Sequence, residues 1–194
     1  MKSRLLILGL LLWSVLAQAA DYASKIAPLI DQAKLSTLGK RGANSRVQKY
    51  VYWLEMARKE RQDPGKVIDE AFRSVVYSKA ATELTKNAML RNLDIATKLG
   101  CLDAAGLEEM RRGKAPTVQR GPYRGDQLSV DHIIPRAVVP ELDCVIANLE
   151  LMPLRMNESK NATVGARQLD LAKKLYAAGL LSGRGLKVLL ESPK

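Results

Sequence analysis

The sequence predicts an α+β protein that is mostly helical. From Asp21 to about Gly113, apolar residues recur every three or four positions, which is the spacing of amphipathic helices. Leu128 to Ile134 alternates and then runs apolar, as a strand does, and Asn148 to Met152 is a second short strand. Asn157 to about Ala178 is helical again. The predicted order is therefore helices, strand, loop, strand, helix.

The first nineteen residues contain the three parts of a secretory signal peptide. Lys2 and Arg4 supply a positive start, Leu5 to Ala17 is an apolar run, and Ala17-Gln18-Ala19 matches the small-x-small cleavage pattern. The run is shorter than the roughly 18 apolar residues of a membrane helix, although an uncleaved membrane anchor is the alternative. We expect residues 1–19 to be removed and the mature chain to be periplasmic or secreted, with no part in a membrane.

Residues 20–118 are predicted to form a helical N-terminal region. The Asp63-Pro64 break separates two amphipathic helices. A third runs from about Ala80 to Leu99 and stops at Gly100, and a short fourth is capped by Asp103. The apolar positions that predict the first two helices are Val47, Tyr50, Val51, Leu54 and Ala57, then Val67, Ile68, Ala71, Phe72, Val75 and Val76. The aromatic residues Tyr50, Tyr52 and Trp53 are expected in the helix packing rather than on a base-stacking surface.

Composition excludes several classes of protein. With 194 residues, 47% of them hydrophobic, and only 13 Gly and 8 Pro, the chain is neither collagen-like nor disordered. A formal charge of +11 favours a polyanionic partner, either nucleic acid or an acidic membrane surface. One His and two Cys cannot make a zinc centre of four Cys and His ligands or a disulfide-dense scaffold.

Cys101 and Cys144 are the two cysteines of the chain. An exported compartment permits disulfides, and a bridge that closes a loop of about 43 residues would stabilise the fold by roughly 4 kcal/mol in the chain-entropy treatment. We expect this bridge to form. Two unpaired buried thiols are the alternative.

The candidate chemistry lies between the two predicted strands and the last helix. The single histidine, His132, follows Asp131 at the end of the first strand, and Asn157 begins the last helix. Hydrolysis of a phosphodiester needs a base to deprotonate water, a cation to neutralise charge, and oxygen ligands to hold that cation. A neutral imidazole can be the base, and carboxylate and amide oxygens suit Mg²⁺ or Mn²⁺.

Asp131-His132-Ile133-Ile134-Pro135, then Asn148-Leu149, then Asn157-x-x-Lys160, resemble the HNH endonuclease motif in its His-Asn-Asn variant, over about residues 120–180. The resemblance implies a ββα-metal catalytic unit, with C-terminal helices, over residues 119–194, and we expect the helical N-terminal region to pack on it. By this resemblance Asp131 and Asn157 are ligands of Mg²⁺ or Mn²⁺ and His132 is the general base. Asn148 steadies the loop that presents the histidine. No Cys-x-x-Cys pair accompanies the motif, so no structural zinc is expected.

The resulting hypothesis is an exported, metal-dependent HNH endonuclease that cleaves DNA, with RNA as a second possible substrate. Basic residues near the motif are expected to hold phosphates, with surface charge or helix-end pairing as their alternative; they are Lys160, Arg136, Arg155 and Arg167. The rival hypothesis is a non-catalytic nucleic-acid-binding or adaptor protein on the same scaffold. A basic protein that binds anionic lipids or cell-wall polymers would explain charge and export but not the motif. The sequence leaves the oligomeric state open.

Overall fold

The structure is a computed structural model that describes residues 21–31, 42–160 and 163–192. Residues 1–19, the predicted signal peptide, lie outside the described residues. Within them the chain is mostly helical and contains a two-stranded antiparallel sheet, which confirms the α+β class. No helix in these ranges is both long and apolar enough to cross a bilayer.

The described helices fall before and after the sheet. Those before it are α1 (21–30), α2 (Gly42–Lys59), α3 (Pro64–Phe72), α4 (Lys79–Lys98) and α5 (Ala104–Arg111). The hairpin is formed by β1 (Leu128–His132) and β2 (Leu149–Pro153), with the 3₁₀ turns Pro140–Leu142 and Ile146–Asn148 between them. After it come α6 (Leu154–Glu158), α7 (Ala166–Ala177) and α8 (Gly183–Glu191).

The predicted helix boundaries depend on side-chain caps. Asp63 accepts the backbone N–H of Lys66 at 2.8 Å ahead of α3, with Pro64 at the first helical position. Asp103 caps α5 in the same way. Gly100 ends the turn after α4 with a φ of +69°, and a Cβ there would lie 2.9 Å from the Arg120 side chain, so both backbone and space require glycine.

Two predicted helices have different limits in the structure. Helix α3 ends at Phe72, so Val75 and Val76 lie outside it, and Val76 is 99% exposed. The single helix predicted from Asn157 to about Ala178 is instead two helices, α6 and α7. The reason is local: the chain turns into α6 directly after Pro153, and Gly165 has an extended backbone at the N-cap of α7.

The first strand is shorter than predicted, and the second is shifted by one residue. Strand β1 ends at His132 rather than Ile134, and Asn148 belongs to a 3₁₀ turn rather than to β2. The backbone of Ile133 and Ile134 bonds to Asn148 instead of continuing the ladder. Strand β1 starts at Leu128 as predicted and ends two residues early, and each end of β2 differs by one residue.

The hairpin has one apolar and one polar face. Residues directly opposite each other on paired strands share a face. The register pairs Val130 with Leu151 on the apolar face and Asp131 with Glu150 on the polar face. The apolar face, with Leu128, Leu149 and Leu151, joins the core formed by the helices. That core contains the wholly buried Tyr50, with Tyr52 and Trp53 packed at its margin, as the sequence predicts.

Helix α4 packs against the hairpin through Asn92, which is fully buried. The Asn92 Oδ1 accepts the Leu151 N–H at 2.9 Å, and its Nδ2 donates to the Leu149 carbonyl at 3.1 Å. The same Nδ2 donates to the Tyr50 hydroxyl at 2.6 Å. One side-chain amide thus satisfies backbone groups of β2, and the helical N-terminal region packs on the hairpin as one unit.

A second core covers the loop between the strands. Ile134 and Leu142 pack there with Ala172 and Leu175 of α7 and Leu189 of α8. Helix α8 is tied to the loop because Glu141 Oε1 accepts the Ser182 hydroxyl at 2.8 Å. The C-terminal helices therefore hold the loop that follows His132.

Replacing Asn92 by Ala should lower the free energy of unfolding by about 2–4 kcal/mol, because the Leu151 N–H and the Leu149 carbonyl lose their buried partner. Asn87→Ala is the matched control, since Asn87 is an exposed amide of the same helix; it should change stability by less than about 0.5 kcal/mol. Urea unfolding followed by circular dichroism measures both. Equal losses in the two variants would contradict the role given to Asn92.

Candidate functional site

The candidate site begins with Asn148, which holds the chain that leaves β1. Its Oδ1 accepts the Ile134 N–H at 2.8 Å and its Nδ2 donates to the Ile134 carbonyl at 3.0 Å. The backbone carbonyl of Asn148 accepts the Ile133 N–H at 2.9 Å. Asn148 is completely buried. These are the contacts that a residue steadying the loop after His132 would make.

His132 stands at the end of β1 with part of its ring exposed. Its Nε2 lies 3.0 Å from the backbone carbonyl oxygen of Asp143 and 3.0 Å from the Asp143 Oδ1. Asp143 is the residue that follows the Pro140–Leu142 turn. Its other carboxylate oxygen lies 3.9 Å from a guanidinium nitrogen of Arg136. The imidazole is therefore held from one side by a single acidic residue.

Asp131 lies on the polar face of the hairpin, directly opposite Glu150. The two carboxylates are only 11% and 12% exposed, and like charges opposite each other in a sheet repel. Cations offset this repulsion. The Lys160 Nζ contacts the Asp131 Oδ2, while Glu150 pairs with Arg167 at 2.7 Å and with Arg91 at 3.2 Å.

Asn157 reaches the same face from α6. Its Nδ2 donates to the Ser129 Oγ at 3.1 Å, and Ser129 lies two residues before Asp131, so the two side chains point the same way along β1. The structure thus brings Asp131, Asn157 and Lys160 to one face. His132 pairs in register with Leu149 instead, so its side chain leaves β1 on the opposite face from Asp131. The contact between His132 and this group is through its backbone carbonyl, which lies 3.4 Å from the Lys160 Nζ.

The donor atoms on this face suit a hard cation such as Mg²⁺ or Mn²⁺. Asp131 supplies a carboxylate, and Asn157, whose Nδ2 is bonded to Ser129, would turn its amide oxygen to a metal. Across the described ranges no cluster of three or more His, Cys, Asp or Glu side chains is placed to hold a metal ion. A cation held by Asp131 and Asn157 would have one carboxylate and one amide oxygen from these two residues, and it would compete with the Lys160 ammonium for Asp131.

The basic residues predicted to hold phosphates are each paired with a carboxylate. Lys160 contacts Asp131, Arg167 contacts Glu150, and Arg136 lies near Asp143. The Arg155 guanidinium lies 3.5 Å from Asp126 and stacks over the Tyr123 ring. The three arginine side chains nevertheless remain 53–63% exposed. They are held in place near the hairpin while keeping donors open to solvent.

Asp126 also sets the position of α6. The N–H of Arg155 donates to its carboxylate at 2.9 Å, and the N–H of Leu154 donates to the Gln127 carbonyl at 2.8 Å. This backbone bond from Arg155 is the main reason why the pKa of the Asp126 carboxyl is lowered. The start of the helix that carries Asn157 is therefore anchored to the segment just before β1.

Sequence reasoning missed three residues that surround the site. Glu150 carried a signal, since it is the polar position of the alternating Leu149-Glu150-Leu151 strand, and alternation places it on the exposed face. No sequence pattern could have identified Asp143 and Asp126, because they lie in irregular chain, where no periodicity indicates which way a side chain points. Their roles come from the folding of the loops.

The predicted disulfide is not present in the structure. Cys101 is fully buried in the helical core and Cys144 is partly exposed beside Asp143, and both are free thiols. Burial raises the pKa of the Cys101 thiol to about 12 and also raises that of Cys144. Both thiols are thus disfavoured as thiolates, and Cys101 is shielded as well.

Asn148→Ala should lower the melting temperature by roughly 5–15 °C, because two backbone groups of Ile134 lose their buried partner. Asn157→Ala removes a partly exposed amide from the same site, and its effect should be at most a few degrees. Thermal melting followed by circular dichroism compares the two variants. A larger loss for Asn157→Ala would mean that Asn148 does not hold the loop.

Thiol titration distinguishes the free cysteines from the bridge. A thiol-reactive disulfide reagent at mildly alkaline pH should label Cys144 in the folded protein and reach Cys101 only after urea is added, because Cys101 is buried with a pKa of about 12. Cys144→Ser should abolish the labelling seen before urea. A chain that reacts only after a reductant is added contains the bridge, and the structure would then be wrong at this point.

Comparison of the chain with protein-family models, with curated proteins and with solved structures found no match. The likeness to the HNH motif therefore depends on the residues named above and on their arrangement in this chain. What is established is a mostly helical α+β fold with a two-stranded antiparallel hairpin. Its polar face and the end of β1 form the candidate site.

Proposed function

We propose that this chain is an exported, metal-dependent HNH endonuclease that hydrolyses phosphodiester bonds in DNA, with RNA to be tested beside it. One observation carries the proposal. The lone histidine, His132, stands at the end of β1, where Asn148 holds the following backbone and the carboxylate of Asp131 is the preceding side chain. A base beside an oxygen ligand is the minimum that metal-assisted hydrolysis requires.

In the proposed reaction the imidazole of His132 removes a proton from a water molecule. The water oxygen forms a bond to phosphorus as the bond from phosphorus to the 3′ oxygen breaks, and that oxygen takes a proton from solvent. The products are a 5′-phosphate and a 3′-hydroxyl. Asp131 and the Asn157 amide oxygen would hold a divalent cation, which when bound neutralises charge on the phosphate.

Substrate binding would be mainly electrostatic. The chain carries 31 Lys and Arg against 20 Asp and Glu. The exposed guanidinium groups of Arg136 and Arg167 pair with Asp143 and Glu150 near the His132 end of the hairpin, and that of Arg155 pairs with Asp126 near the other end. Contacts to phosphates carry no sequence information and weaken as salt rises. We therefore expect binding that tolerates many sequences and is lost at high ionic strength.

A second candidate function is a non-catalytic nucleic-acid-binding or adaptor protein. The contact between Lys160 and Asp131 favours it, because an ammonium already neutralises the carboxylate that a metal would need. In a nuclease this contact must be given up when a cation binds. In an adaptor the pair would simply persist, and phosphates would be held by the arginines alone.

Plasmid cleavage separates the two functions. The purified mature protein should nick or linearise plasmid with Mg²⁺ or Mn²⁺ and leave it intact in EDTA. His132→Ala should reduce the rate by about 10²- to 10⁴-fold while DNA binding is retained, because a general base acts on the barrier and not on affinity. Gel analysis of cleavage and a filter-binding assay measure the two effects.

Arg184→Ala is the control for this experiment, since Arg184 is an exposed cation of α8 that no predicted site contains. It should cleave at the wild-type rate. Binding without cleavage under any metal would favour the adaptor. Equal cleavage by His132→Ala and the wild type would show that the histidine is not the base.

A further inference from the structure

Asp143 is held rigidly in the loop that joins the two strands. Its N–H donates to the Pro140 carbonyl at 3.1 Å, and the neighbouring Leu142 is fully buried in the second core. The N–H of Val145 donates to the Leu142 carbonyl at 3.2 Å, and the N–H of Asn148 donates to the Val145 carbonyl at 2.8 Å. This chain of turns fixes Asp143 relative to Asn148.

The atoms around the His132 ring determine which nitrogen carries a proton. Nε2 faces two oxygens of Asp143, the backbone carbonyl and the carboxylate Oδ1, each at 3.0 Å. Neither oxygen can donate a hydrogen bond, so Nε2 must be the donor. In the neutral ring the lone pair is then on Nδ1. A ring in this tautomer accepts a proton at Nδ1 and at no other atom.

We propose that Asp143 is a positioning residue for His132: its carboxylate holds the Nε2–H, so that Nδ1 is the atom that takes the proton from water. The inference rests on the proposed nuclease function. When Nδ1 gains the proton, the ring becomes a cation, and the Asp143 carboxylate beside it stabilises that charge. The Arg136 guanidinium, 3.9 Å from the second carboxylate oxygen, keeps the carboxylate turned toward the ring. Arg136, which the sequence predicts to bind phosphate, thus also contacts Asp143.

The sole histidine of the sequence makes the tautomer directly measurable. Nitrogen-15 NMR of the full mature chain, made without a histidine tag, contains the ring signals of His132 alone. In the neutral ring, at alkaline pH, the wild type should show Nε2 protonated and Nδ1 unprotonated. Asp143→Ala should move both nitrogen shifts toward the average of the two tautomers.

The kinetic measurement uses the same variants. Asp143→Ala should lower kcat for plasmid cleavage by about 10- to 10²-fold with KM unchanged, a smaller loss than that of the base itself because the backbone carbonyl still faces Nε2. Asp143→Asn keeps a side-chain acceptor for the Nε2–H but removes the negative charge; it should keep the wild-type tautomer and still lower kcat, and it gives the kinetic result should the alanine variant misfold. Asp170→Ala is the control, since Asp170 is an exposed carboxylate paired with Lys174 in α7; it should change neither measurement.

The outcomes decide the inference and the proposed function separately. A changed tautomer together with a lower kcat supports the positioning role. An unchanged tautomer in Asp143→Ala overturns it, and so does a wild-type kcat in either Asp143 variant. A wild-type protein that cleaves no nucleic acid under any metal overturns the proposed function, and the NMR result then still shows whether Asp143 sets the histidine tautomer.

Discussion

A hairpin of two strands is too small to be stable alone, and this constraint governs the molecule. A side chain satisfies the backbone hydrogen-bonding groups on the outer edge of β2. The buried Asn92 bonds to the Leu149 carbonyl and to the Leu151 N–H, as a third strand would. The apolar face of the hairpin is buried on the same helices. Because Asn92 also bonds to Tyr50 of α2, one amide connects the helical core to the strands.

The candidate site uses the same device at the residue just before β2. Asn148 pairs its amide with the backbone of Ile134, and so it fixes the direction in which the chain leaves His132. Polar interactions then complete the site from three directions, with Asp143 on the ring, Lys160 on Asp131 and Arg167 on Glu150. Backbone held by buried amides and side chains held by charge give a surface that is rigid yet open to solvent.

Periodicity and capping residues were enough to predict most of the fold. The apolar spacing from Val47 to Ala57 and the Asp63-Pro64 break correspond to α2 and to the start of α3. The split between α6 and α7 was missed because apolar spacing alone marks neither the end of α6 at Glu158 nor the start of α7 after the extended Gly165. For the site, motif spacing selected His132 and Asn148, but Asp143 acts through loop geometry, which no local pattern encodes.

The long chain separation of the Asn92 contacts has a consequence for the order of folding. The bonds from Asn92 reach residues 57 and 59 positions later in the chain, so the helices α1 to α5 are synthesised while this amide still lacks its partners on β2. Closing so long a loop costs entropy before any contact repays it. The helices and the hairpin should therefore become stable together, in one cooperative step, and the boundary that the sequence predicts after residue 118 should not be a boundary in folding.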